Sequence, residues 1–170
     1  MKNVLIFGLF ILLIMNVNAQ ETQKKSKKEI RAEKEAKKIE ETKALVESKA
    51  FVFDARNVNP MGGSSRTLTT QYEVKVTSDS IYSYLPYFGV AYSASYGGTD
   101  SPMIFEEPFE TCEMEKTKKG YLVKVSVKNG NDRLDFSFHI SEAGSTTLHV
   151  SSINRQAISY NGEVVRDREN

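Results

Sequence analysis

Two residues, Asn129-Gly130, set between runs of alternating apolar and polar side chains, constrain this chain more than any other feature. Upstream, Tyr121, Val123 and Val125 alternate with Leu122, Lys124 and Ser126; downstream, Leu134, Phe136 and Phe138 alternate with Asp135, Ser137 and His139. A period of two belongs to half-buried strands, and Asn-Gly is strongly favoured in two-residue hairpin loops. With Asn129-Gly130 as the loop, Lys128 falls opposite Asn131, Val125 opposite Leu134, Val123 opposite Phe136 and Tyr121 opposite Phe138. Apolar side chains then face apolar ones. The neighbouring set, Lys124 with Asp135 and Leu122 with Ser137, is more polar, so one register serves both faces.

The same logic extends both ways. A loop over Thr117 to Gly120 places Met114 opposite Val123 and Cys112 opposite Val125, which points the thiol into the core as a small hydrophobe. A loop over Glu142 to Gly144 pairs Phe138 with Leu148 and Phe136 with Val150. Asn161-Gly162 offers one more hairpin, with Ile158 opposite Val165. Nearer the start, Phe51 and Phe53 open a short strand, NVNPMGGSS (Asn57 to Ser65) reads as a loop, and Leu68, Thr70, Tyr72, Val74 and Val76 form one face of another strand. The expectation is a mainly β domain: an antiparallel meander of about seven to eight strands over Phe51 to Val165. Its oily face must be covered, by a sandwich or by a partly open barrel.

The residues before Phe51 follow other rules. KKSKKEIRAEKEAKKIEETKALVESKA has no Gly or Pro, and Arg31/Glu35, Glu33/Lys37 and Lys37/Glu41 stand four apart, so a charged helix over Lys27 to Ser48 is expected. Its apolar stripe, Ala32, Ala36, Ile39 and Val46, is thin enough for only light docking or a weak coiled coil. Before it, Lys2, the apolar run Val4 to Met15 and the VNAQ stretch have the pattern of a cleaved secretory signal peptide. The organisation expected is a signal over 1–19, a helical or linker segment over 20–50 and a single β domain over 51–170. The mature chain would then be exported, periplasmic or secreted, without a transmembrane segment, and a lone cysteine there forms no internal disulfide.

Charge excludes one class of partner. Between Gln20 and Ala50 there are ten Lys or Arg against seven Asp or Glu, and from Phe51 onward twelve against fifteen. The main body thus lacks the basic face that phosphate backbones require, so no nucleic acid is expected. Catalytic groupings are also missing from the sequence: no G-x-S-x-G elbow, no phosphate-cradling glycine loop, no metal-spaced cluster. His139 and His149 fall on the outer face of neighbouring strands, with His149 opposite Ser137, and Glu113 and Glu115 share a solvent face. These read as surface residues; the expectation is no enzyme, no catalytic residue, no metal and no cofactor.

The candidate contact residues lie elsewhere. Five of the eight tyrosines fall between Ile81 and Gly97, in YLPYFGVAYSASYGG and the residues just before it. Tyrosine among small, adaptable residues is a composition of binding loops, because each ring gives large contact area at low entropic cost. Tyr84, Tyr87, Phe88, Tyr92 and Tyr96 are therefore the candidate ligand or partner contacts. The structural alternative makes the same segment a lid over the open end of the sheet, its rings buried and its hydroxyls bonded to backbone.

FVFDARNV, QYEVKV and above all SYLPYFGVAYSASYGG followed by PMIFEEP resemble a Bacteroidetes family of exported proteins catalogued as domain of unknown function 4251. The resemblance runs from Ala44 to Val165. It implies a secreted or envelope-associated β-rich domain, often in lipoprotein form, with no catalytic residues to carry over; this chain lacks the acylation cysteine. The functional expectation is a non-catalytic binding module of the cell envelope, with an unknown protein or glycan as partner. The alternative is a structural or assembly protein acting through its N-terminal helix.

Overall fold

The computed structural model describes residues 26–92 and 103–167. The chain divides into two units, Met1–Glu33 and Lys34–Asn170, the boundary falling inside the helix over Lys27–Glu47. Helix α1 spans Lys27–Glu47 and is started by a reciprocal cap. The Ser26 amide donates to Glu29 Oε2 at 2.7 Å and the Glu29 amide to Ser26 Oγ at 3.2 Å, satisfying donors the helix cannot use itself. It ends where Lys49 turns into the left-handed region at φ 54°, its amide donating to the Val46 carbonyl. No helix among the described residues is long and apolar enough to cross a membrane.

The expected stripe of α1 is only partly used. Ala32 and Ala36 are exposed, and burial is confined to the last turns, where Thr42 and Val46 are buried and Ile39 and Leu45 half-buried. The reason lies in the surface beneath: Gly144, at φ 86°, leaves the Thr42 hydroxyl 2.9 Å from where a Cβ would stand. Beside it, Lys38 Nζ meets Glu163 at 3.1 Å, and Arg56 binds the same carboxylate.

Eight antiparallel strands follow in simple up-and-down order: β1 Phe51–Pro60, β2 Arg66–Val76, β3 Ser80–Tyr84, β4 Ile104–Thr117, β5 Gly120–Asn129, β6 Asp132–Ser141, β7 Ser145–Ser152 and β8 Ile158–Val165. Each pairs with the next, and β8 returns to β1, so the sheet closes into a barrel. Closure removes the edges a sandwich would leave, except along β4 beyond the end of the short β3. Of the two ways of covering the oily face, the chain uses the barrel, and the ring of strand pairings is complete. Inward residues fill the interior: Phe51 meets Phe138 edge-on at 5.4 Å, Phe53 meets Phe138 at 6.0 Å, and Phe136, Leu148 and Tyr160 are fully buried beside them.

Turn chemistry departs from expectation at two places. The β5–β6 ladder pairs Asn129 with Asp132, Val125 with Phe136 and Val123 with Phe138, so the loop residues are Gly130 and Asn131. Gly130 has φ 59° and Asn131 does not share its positive φ, the pattern of a type II′ turn, which wants glycine first. The register is two residues from that expected, and a slip of two leaves every side chain on its face. The β4–β5 and β6–β7 pairings are as expected, Cys112 opposite Val125 and Phe138 opposite Leu148.

Asn161-Gly162 forms no hairpin: both residues lie inside β8, paired with β7 and with β1. Across from them β1 bulges at Arg56, and a Cβ on Gly162 would stand 1.9 Å from the Asp54 carbonyl oxygen. This glycine permits close backbone approach at the seam of the barrel instead of a turn. The NVNP segment likewise belongs to β1, leaving a loop of 61–65 only.

β3 is short and covers only Ile104–Pro108 of the much longer β4. The Phe109 amide donates to Asp79 O at 3.2 Å, and beyond that point, among the described residues, β4 pairs with β5 alone. Cys112 on this stretch is half-buried against the core, and burial pushes its thiol above the ordinary value, Lys49 opposing.

Candidate binding surface

Up-and-down order sends the β1–β2, β3–β4, β5–β6 and β7–β8 connections to one end of the barrel, here the loop end. The β3–β4 connection there carries the candidate tyrosines. Its neck is held by the core: Leu85 and Met103 are buried, the Leu85 amide donates to Met103 O at 3.1 Å, and Ser83 Oγ to the same oxygen at 2.8 Å. The fully buried Tyr160 sends its hydroxyl up to the Pro86 carbonyl at 2.8 Å, and burial raises its pKa far above the usual phenol range.

Beyond the neck, the segment lies along the β7–β8 connection. Tyr92 N donates to Asn154 O at 2.8 Å, Gln156 N donates to Val90 O at 3.0 Å, and Ala91 bridges to Arg155. Tyr87 braces this pairing: its hydroxyl lies 2.9 Å from the Gln156 carbonyl and 3.1 Å from that of Val90, sharing one proton between them. Burial raises its pKa, against the opposing pull of Arg155. The β7–β8 turn is itself tied down. Asp132 accepts from Ser152 Oγ at 2.8 Å on both carboxylate oxygens, Ser152 Oγ accepts from the Asn154 amide, and Asn154 Nδ2 donates to Asn131 O at 3.2 Å.

The five candidates therefore do different things. Tyr84, half-buried at the end of β3, stacks on Tyr72 with ring centroids 5.4 Å apart. Tyr87 is a half-buried brace. Phe88 is exposed, with the Arg66 guanidinium 4.9 Å from its ring centroid. Tyr92 is 71% exposed although its backbone is fixed. Tyr96 lies outside the described residues.

Sequence reasoning missed part of this surface. Six of the eight exposed large apolar side chains among the described residues sit at the loop end: Met61, Phe88, Val90, Tyr92, Ile104 and Ile153. Met61 hid in a loop read only for its glycines, and Ile153 among polar neighbours has no periodicity to mark it. A shallow groove of about 340 Å³ runs down the outer wall from Met61 past Ile158 to His149. His149 lines that groove with His139 beside it, ring centroids 5.4 Å apart and edge to face, and His149 is shifted below its ordinary pKa by burial and then by His139. Among the described residues no three His, Cys, Asp or Glu gather closely enough to hold a metal ion.

The geometry defines a class: a small, closed, eight-stranded antiparallel barrel with a packed interior and an exposed apolar end built from braced loops. The chain belongs to the family described as Domain of unknown function (DUF4251), whose model matches residues 33–164. It is similar in fold to the crystal structure of a DUF4251 family protein from Bacteroides eggerthii, with a TM-score of 0.60 and 14% identity over 81% of this chain and 93% of that one. No curated protein matches the chain.

Proposed function

We propose that the protein is an exported, non-catalytic binding module of the cell envelope, making its contacts through the loop end, with Phe88 and Tyr92 as direct contacts and Tyr84 and Tyr87 shaping the platform. One observation carries this reading: large apolar side chains are concentrated on a backbone that is already fixed. Phe88, Val90, Tyr92 and Ile153 are exposed while their segments are held by backbone bonds and by Tyr87. Exposed apolar patches on ordered surfaces mark contact sites, and fixing the backbone beforehand lowers the entropic cost of binding. The signal-like N-terminus supports export, and an envelope protein or glycan is the partner class. Tyrosine-selective labelling of the full-length protein, read residue by residue during screens against envelope glycans and purified envelope proteins, tests it. A true ligand slows labelling at Tyr92 and leaves Tyr82 unchanged, and Phe88→Ser with Tyr92→Ser weakens it. A ligand that leaves Tyr92 labelling unchanged places the contact elsewhere.

A further inference from the structure

We propose that the uncovered edge of β4 is a strand-addition site for an extended segment of a partner polypeptide in which Lys or Arg alternates with apolar residues. The barrel has no edge where β1 meets β8, but it has one where β3 stops. Among the described residues, β3 pairs with Ile104–Pro108, the Phe109 amide makes the last bond on that side, and Thr111–Thr117 pairs only with β5. Along this stretch every residue but the half-buried Cys112 is exposed. That is roughly 20 Å of backbone donors and acceptors on one side of a strand already ordered by its ladder on the other. Such a row templates the pairing of an added strand, whose backbone supplies affinity and whose alternating side chains supply specificity.

The side chains choose the occupant. One face of the edge presents Thr111, Glu113 and Glu115, opposite Ser126, Lys124 and Leu122 of β5; the other presents Cys112, Met114 and Lys116, opposite Val125, Val123 and Tyr121. A strand added here meets carboxylates on one face and, alongside Cys112 and Met114, apolar groups on the other, so its own pattern must be basic and apolar in alternation. A second copy adding through the same edge would set Glu113 and Glu115 against their equivalents, and like charges directly opposite are destabilising. The acidic face thus rejects self-pairing while admitting a cationic strand.

The test uses the full-length protein and an acetylated, amidated heptapeptide of alternating Lys and Val. Two further versions are N-methylated, one on every Lys amide and one on every Val amide. In a strand, alternate amides point to opposite edges, so strand addition requires that one methylated peptide bind like the parent and the other fail. Hydrogen exchange of alternate amides within Thr111–Thr117 must slow when the parent peptide binds, and Glu113→Lys with Glu115→Lys must weaken it about tenfold. Equal behaviour of the two methylated peptides, exchange protection away from β4, or peptide-independent dimerisation through β4 overturns the proposal.

Discussion

Gly162 is a residue whose replacement the barrel tolerates poorly. It sits mid-strand at the seam, and any side chain there meets the Asp54 carbonyl across the β1 bulge. Gly162→Ala must push β1 and β8 apart, and the expected cost is about 3 kcal/mol, read as a lowered urea midpoint. His149 supplies a pH-dependent counterpart. Its pKa in the fold lies below the ordinary 6.5, so the unfolded chain binds the proton more readily. Its contribution to stability is therefore present above 6.5 and is lost as pH falls from there through the lowered value in the fold. An NMR titration should place the His149 midpoint below 6.5, and His139→Asn should raise it only in part, because burial is the larger cause.

At the scale of elements, the decisive contacts are those that tie one connection to another. Tyr87→Phe removes the hydroxyl shared by Val90 and Gln156 and should cost about 1 kcal/mol, with faster hydrogen exchange at Tyr92 and Gln156 as its local signature. Val46→Ala, at the buried end of α1, should cost about 2 kcal/mol in a thermal melt and leave the Tyr92 environment unchanged. Elements were readable in the sequence wherever alternation and turn residues bore on the same pairing, as at β4–β5 and β6–β7. They were misread where one dipeptide had to decide alone. Asn-Gly at 129–130 announced a hairpin but not which turn type would set its register, and the same dipeptide at 161–162 serves a bulge on a neighbouring strand, a contact more than a hundred residues away in sequence. The candidate surface was legible through its tyrosines alone. Its other members, Met61 and Ile153, come together only because alternate hairpin connections share one end of a closed ring.

At the scale of the whole molecule, closure makes stability a shared property. β8 is flanked on both sides by ladders, to β7 and to β1, and carries the buried Tyr160 and Val164. Removing it by truncation after Gln156 should leave a chain without a cooperative thermal transition, since every remaining core side chain would lose its enclosure. A truncated chain that still melts cooperatively would show that the remaining strands can cover the core unaided.

The ring also separates what must stay from what can change. β1 begins and β8 ends at the same rim, Val52 pairing with Val165, so the chain enters and leaves the barrel there. The opposite rim, among the described residues, is made of returns from one strand to the next. A return such as 61–65 or 153–157 can exchange its side chains without altering the ladders below it, whereas the two-residue turn at Gly130-Asn131 sets the β5–β6 register. The walls can therefore stay fixed while that rim varies, through connections as unequal as the two residues between β5 and β6 and the long one between Tyr84 and Ile104.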